Sequence, residues 1–286
     1  MSGGPRLQRA SFSAGLRWLP AGAELMFRSP AGMIGIAALW LLLTMVAMMI
    51  PLLGQLLLVL FTPLLTGGVL IAFDKIRQRI TPGPSTLFAA WPEPRRRIDL
   101  ILLGSFSLAG SMLAAGVLVG WLGSQLDPTE LEALANSPEA LAQALIEANV
   151  GTGLLLAALL FSLVLAALFF AIPLVVFGRL PALAALINSL RAVIFNWLAF
   201  IGFGLATITM AIGLGIILAL LMAVFSLALG QAGMILIQLL ILAMTMFVQM
   251  LMAGAQYVGF CHLFGWNPNA SAGPPGDDGD DGQLIA

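Results

Sequence analysis

Six long apolar stretches, whose interiors contain no Asp, Glu, Lys or Arg, dominate the pattern of hydrophobic and polar positions along this chain. A bilayer hydrocarbon core about 30 Å thick requires roughly 20 consecutive apolar residues in a helix. Each stretch meets that length, so the sequence predicts an all-α integral membrane protein with a bundle of six transmembrane helices. We expect the spans at about 31–50, 55–73, 98–122, 151–176, 197–227 and 234–260.

Shorter stretches with helical periodicity precede some of the spans. Before span one, Leu16 and Leu19 fall on one face of a helix while Arg17 and Arg28 fall on the other. Residues 183–194 repeat this pattern before span five, and an apolar turn precedes the arginines before span three. Such amphipathic segments either lie in the lipid interface or pack beneath the bundle, and the pattern leaves both open. Their repetition predicts three units, each an interfacial segment followed by a transmembrane hairpin.

The basic residues all fall on one side of this six-span arrangement. None of the 12 Lys and Arg residues lies in a loop assigned to the outer side, and an even number of spans places both termini with the basic loops. Because basic loops are retained in the cytoplasm, we expect both termini to be cytoplasmic. The residues expected to determine this topology are Arg28, Lys75, Arg95, Arg96, Arg97, Arg179 and Arg191.

The segments outside the spans divide the chain into three parts. Residues 1–30 are expected to form a cytoplasmic segment with an interfacial helix, and residues 31–266 the six-span domain. Within that domain, the outer loop 123–149 is acidic, and its helix start signals predict two short helices. The tail 267–286 is rich in Pro, Gly and Asp, and we expect it to be disordered because it has nothing to bury.

The composition narrows the partners and the chemistry. The chain is 60% hydrophobic and 9% charged with a mean hydropathy of +1.05, whereas soluble proteins carry roughly 25% charged residues. We therefore expect the lipid bilayer as the main partner and no nucleic acid. The single Cys261 and the single His262 are neighbours that point different ways on a helix, which disfavours a metal site. Because the spans lack paired carboxylates and nucleophile–base sets, we predict no catalytic residue, no cofactor and no enzymatic activity.

Uncharged polar side chains form two stripes within the spans. In span six they are separated by seven, four and seven residues, which keeps them on one narrow face at about 100° per residue. Two interpretations remain open, namely hydrogen bonds between helices and a narrow polar path lined by spans two and six. The stripe residues are Gln55, Thr62 and Thr66 in span two, and Gln238, Thr245, Gln249 and Gln256 in span six.

Several short stretches resemble a known group of proteins. They include Pro51-Leu52-Leu53-Gly54, Pro63-Leu64-Leu65-Thr66-Gly67-Gly68 and Pro173-Leu174-Val175-Val176-Phe177. Through them, the chain resembles an uncharacterised family of proteobacterial multi-pass inner-membrane proteins, and it is distantly similar to the membrane domains attached to some glycerophosphodiester phosphodiesterases. The resemblance covers most of residues 15–265 and implies a bacterial inner membrane location. That family has no established activity, so the resemblance implies no catalytic residues.

Together these features predict a non-enzymatic protein of the inner membrane that organises or assists partners or lipids. The interfacial segments and the uncharged spans favour this function. The alternative is a transporter or channel for a small or amphipathic solute, which the two polar stripes favour. The partners expected are the lipid bilayer and, beyond it, other membrane proteins for the first function or a small solute for the second.

Overall fold

The computed structural model of the chain describes residues 7–125, 150–229 and 231–267. These residues form helices and, within the described ranges, no strands. Besides one short 3₁₀ helix, Pro84–Phe88, the helices are α1 (Phe12–Phe27), α2 (Pro30–Met48), α3 (Leu53–Arg77), α4 (Pro94–Gln125), α5 (Val150–Phe169), α6 (Ala171–Val176), α7 (Ala182–Phe195), α8 (Trp197–Leu229) and α9 (Gln231–Phe264).

Six stretches of these helices are long and apolar enough to cross a membrane, which confirms that part of the prediction. They run over Pro30–Met48, Leu53–Arg77, Pro94–Ser124, Gly151–Val176, Trp197–Ser226 and Leu236–Phe264. Helical hydrogen bonding continues beyond the predicted spans at several ends, because polar residues of the interface also form helix. Lys75 therefore lies in the last turn of α3, and Arg95 to Arg97 lie in the first turn of α4.

Helices that are neighbours in the sequence pack side by side. Helix α2 packs against α3, α4 against α5, and α8 against α9. Helix α3 links these pairs, since it also contacts α4, α6 and α9. The 3₁₀ helix packs against α2 and α3, while α7 packs against α5 and α6.

Helix α1 is buried within the bundle and packs mainly against α8 and α9. Its Trp18 is only 1% exposed. Gly15 lies against the backbone of Ala199 in α8, and Gly22 lies against the backbone of Ala255 in α9. The structure therefore shows this segment packed against two of the long helices.

The face that α1 buries only partly matches its predicted apolar stripe, which comprises Phe12, Leu16, Leu19, Ala23, Met26 and Phe27. Leu19 and Met26 of this stripe are buried, whereas Phe12 and Phe27 are exposed. In their place, α1 buries Gly15 and Gly22 on either side of Trp18. Small residues decide this face because they let the backbones of α8 and α9 approach closely.

The densest part of the core lies at the end of the bundle that carries the Lys and Arg residues. Trp18, Phe73, Phe170, Tyr257 and Phe260 are all almost completely buried there. Edge-to-face ring contacts join Trp18 to Phe170 at a centroid distance of 6.4 Å. The opposite ends of the helices present apolar side chains outwards, which is the expected surface for segments surrounded by lipid.

Two sequence predictions fall on residues outside the described ranges. These are the short helices expected in the acidic outer loop, apart from residues 123–125, and the disorder expected for the tail after residue 267. Both stay predictions.

Candidate functional site

Span four is interrupted near the end that lies on the basic side, where α5 ends at Phe169 and α6 begins at Ala171. In a continuous helix the carbonyl of Phe169 would accept a hydrogen bond from residue 173, but Pro173 has no N–H to donate. The Nε2 atom of Gln256 donates to this carbonyl instead. Gln256 is 8% exposed and Phe169 is half-buried, so Gln256 supplies a donor that the carbonyl lacks within its own helix.

A second polar side chain enters the helical hydrogen-bond ladder at the same interruption. The Ser189 Oγ atom accepts a hydrogen bond from the Phe170 N–H at 2.8 Å and donates to the Ala166 carbonyl at 2.8 Å. In an uninterrupted helix, that N–H and that carbonyl would pair with each other. A side chain inserted in this way is one of the recognised causes of a kink. Ser189 of α7 and Gln256 of α9 thus stabilise the interruption from two sides.

The other residues of the span six stripe are not used in this way. Gln238 and Thr245 are exposed, and the Thr245 hydroxyl donates to the Ile241 carbonyl of its own helix at 2.8 Å. Gln249 is half-buried and, among the described residues, has no hydrogen-bond partner. The four residues therefore have different environments along one helix.

The span two stripe is similarly divided. Gln55 is exposed, and the Thr62 hydroxyl donates to the Leu58 carbonyl one turn earlier at 2.6 Å. Thr66 is half-buried and has no hydrogen-bond partner within the described part of the chain. Neither of the two cavities described in the structure is lined by any residue of either stripe.

A cluster around Asp74 at the end of α3 was not predicted as a site. Its Oδ1 atom accepts hydrogen bonds from the Tyr257 hydroxyl at 2.7 Å and from the Trp266 Nε1–H at 2.9 Å. Its Oδ2 atom accepts a hydrogen bond from Gln78 Nε2 at 2.8 Å. The sequence marks Asp74 only as an acid among basic residues, and nothing in it pairs residue 74 with residues 257 and 266. The cluster fixes the C-terminal end of α9 to the C-terminal end of α3.

Two further polar side chains hold the segments on the basic side. The Asp99 carboxylate of α4 accepts a hydrogen bond from the Ala182 N–H at the start of α7, at 2.9 Å. Since helix N-termini carry free N–H groups, this carboxylate acts as a cap provided by another helix. The Asn196 Oδ1 atom accepts a hydrogen bond from the Ala10 N–H at 2.7 Å and thereby holds the chain before α1.

The residues predicted to determine topology lie at helix ends or on α7. Arg28 forms an ion pair with Glu24 at 2.9 Å, and Arg96 forms one with Glu93 at 2.7 Å. Arg179 lies between α6 and α7 with a positive φ of 52°, and Arg191 lies on α7.

An apolar groove opens between α2 and α9, beside the end of α1. We call it the α2–α9 groove, and its volume is about 330 Å³. That volume lies at the lower end of the range of about 300–1,000 Å³ found for small-molecule sites. Its floor contains four buried methionines, Met26, Met33, Met246 and Met250. The lining provides no polar side chain, so the groove suits a hydrocarbon ligand.

A second cavity of about 230 Å³ lies between residues 7–9 and the end of α7. Within the described residues, no group of three or more His, Cys, Asp and Glu side chains is placed to hold a metal ion.

Comparisons of this chain with protein-family models, with curated proteins and with solved structures gave no match. Its class therefore follows from the fold itself. The six long apolar helices fit a multi-pass membrane protein.

Proposed function

We propose that this chain is a non-enzymatic accessory protein of the bacterial inner membrane that interacts with lipids and with other membrane proteins. The observation that carries the proposal is the outward face of α8. In the most apolar 18-residue window of Trp197–Ser226, none of the residues is buried within the chain. Large side chains such as Ile212 and Leu220 are more than half exposed along it. Although α8 packs on α1 and α9, it leaves most of its surface along this stretch to lipid or to a membrane partner.

The use of the buried polar side chains also supports this function. Ser189 and Gln256 are occupied in stabilising the interruption of span four, and Asn196 holds the segment before α1. These side chains hold helices and segments together, so they are not free to bind a substrate.

The proposal includes three hairpins that enter from the cytoplasm, each introduced by an interfacial segment. The contacts that support this arrangement follow one rule: each interfacial segment packs on the hairpin before it, and the first segment packs on the last hairpin. The 3₁₀ helix before the second hairpin packs on α2 and α3, and α7 before the third hairpin packs on α5. Helix α1 before the first hairpin packs on α8 and α9 and closes the cycle.

Reporter fusions test the topology. A reporter fused after Ala286 should show a cytoplasmic location. A reporter inserted at Ser137 should show a location on the opposite side of the membrane from the cytoplasm. All the basic residues lie on the side assigned to the cytoplasm, which is the physical reason for this expectation. A cytoplasmic readout from both positions would contradict the six-span topology.

Photo-crosslinking in intact cells tests the function. A photoreactive residue at the exposed position Ile212 should give a discrete crosslinked membrane protein or lipid adduct. The same residue at Phe203, which is 9% exposed and contacts Trp18 of α1, serves as the control and should crosslink only within the chain. Equal products from both positions, or none from either, would contradict a partner surface on α8.

A transporter remains the second candidate, because Thr66 and Gln249 are half-buried and have no hydrogen-bond partner within the described residues. In proteoliposomes loaded with a fluorescent amphipathic cation or with radiolabelled glycerol, the accessory protein should give no flux above that of empty vesicles. Flux that is present in the wild type and lost in Gln249→Leu would overturn the first proposal and favour the second.

A further inference from the structure

The α2–α9 groove has an apolar floor and an open side on the outer surface of two of the long apolar helices. Met26 of α1 and Met33 of α2 line the floor on one side, while Met246 and Met250 of α9 line it on the other. Ile34 on the rim is exposed. Methionine side chains are flexible and polarisable, so such a floor adapts to a flexible hydrocarbon chain. Water would find no hydrogen-bond partner among these side chains.

The length of the groove matches one leaflet of the membrane. Its lining runs along α2 from Pro30 to Leu41, which at 1.5 Å per residue is about 16 Å. Half of a hydrocarbon core of about 30 Å is about 15 Å. Because the groove begins at the first residue of α2, it starts at the membrane interface and ends near the bilayer centre.

A pair of opposite charges lies at the end of α1, where Arg28 falls between the groove-lining residues Phe27 and Pro30. Glu24 and Arg28 are separated by 2.9 Å, and their side chains are 69% and 58% exposed. Both belong to the segment that provides the lining residues Met26 and Phe27. Exposed ion pairs of this kind contribute little stability. Each of the two groups can therefore leave the other and bind a charged group of a ligand at little cost. A guanidinium favours phosphate, and a carboxylate favours an ammonium group.

We propose that the α2–α9 groove binds one acyl chain of a zwitterionic phospholipid with a phosphoethanolamine headgroup. The phosphate lies at Arg28 and the ammonium group lies at Glu24. The charge pair at the mouth complements both charges of this headgroup, whereas an anionic phosphatidylglycerol would satisfy Arg28 alone. This lipid site rests on the proposed function, because it names the lipid with which the protein interacts. The crosslinking result for Ile212 does not depend on the lipid site.

Native mass spectrometry of the full-length protein tests this inference. The protein is released from nanodiscs that contain equal amounts of dioleoyl phosphatidylethanolamine and dioleoyl phosphatidylglycerol. We expect one retained lipid per protein, with phosphatidylethanolamine preferred over phosphatidylglycerol about threefold. The preference is small because exposed ion pairs contribute little free energy. Retention of both lipids in equal amounts by the wild type would overturn the headgroup assignment.

Variants separate the acyl-chain site from the headgroup site. Ala243→Trp fills the groove and should weaken lipid retention about tenfold. Displacing two methylene groups of the acyl chain from the groove is enough for a loss of that size. Ala211→Trp, at an exposed position on α8 outside the groove, is the matched control and should retain lipid normally. Glu24→Gln should keep one lipid but lose the preference for phosphatidylethanolamine. Each variant is first checked for a wild-type elution volume and unfolding temperature.

Two outcomes would overturn the acyl-chain site. One is unchanged lipid retention in Ala243→Trp. The other is a dimer mass in the wild type that becomes monomeric in Ala243→Trp, because a second copy of the chain would then occupy the groove. In either case, crosslinks from Ile212 would still report on the proposed partner surface.

Discussion

Replacing Gly15 by leucine is expected to displace helix α1 from the bundle and to lower the unfolding midpoint in detergent by about 6–12 °C. A Cβ atom at this position would fall on the carbonyl group of Ala199 and lie 2.6 Å from its carbon. The clash is with backbone, so no side-chain rotation relieves it. Overpacking of this kind costs about 3 kcal/mol, and each kcal/mol lowers the midpoint by about 2–4 °C.

Gly213→Leu provides the matched control. This glycine also lies in an apolar span, but a Cβ atom there would meet nothing within 4 Å. We expect its unfolding midpoint to stay close to that of the wild type. Trypsin cleavage after Arg17 should accelerate in Gly15→Leu and remain slow in Gly213→Leu. Equal destabilisation by both changes would contradict the close packing of α1 on α8.

Replacing Gln256 by leucine is expected to reduce the free energy of unfolding by about 1–3 kcal/mol, because it leaves the half-buried carbonyl of Phe169 without a donor. Gln249→Leu makes the same change two turns earlier on α9, at a half-buried position without a hydrogen-bond partner. It should change the free energy of unfolding by no more than about 0.5 kcal/mol. Reversible denaturant unfolding in mixed micelles measures both values.

A third variant identifies the hydrogen bond responsible. Pro173→Ala supplies the N–H group that the Phe169 carbonyl lacks in the wild type. Combined with Gln256→Leu, it should recover part of the lost stability. If the double variant is less stable than Gln256→Leu alone, then the interruption of span four depends on something other than this unpaired carbonyl.

The six spans were predictable from the sequence because hydropathy reports directly on which solvent surrounds a helix. A lipid-exposed segment such as Trp197–Ser226 needs only apolar side chains, and those are visible residue by residue. The interruption at Phe170 was not predicted, because a broken helix within an apolar segment does not change its hydropathy. Pro173 was the available signal, but the partners that make the break stable are Ser189 and Gln256, which come from two later helices.

The position of α1 was only partly predictable. Periodicity indicated an amphipathic helix, but it weighted large apolar side chains such as Phe12 and Phe27, which are exposed. Close packing instead depends on Gly15 and Gly22, which a hydrophobicity pattern treats as neutral. The polar stripe of span six has the same limit, since spacing placed Gln249 and Gln256 on one face but could not show that only Gln256 meets an unpaired carbonyl.

The packing of α1 also has a consequence for synthesis of the protein. The Nε1–H of Trp18 donates a hydrogen bond to the Nδ1 atom of His262, 244 residues later in the chain, at 3.3 Å. At about 5–20 residues per second, a ribosome takes roughly 12–50 s to add that length. During this interval α1 exists without its final partners while each hairpin enters the membrane. Helix α1 therefore reaches its native contacts only after α9 has been synthesised, although it is made before the six spans.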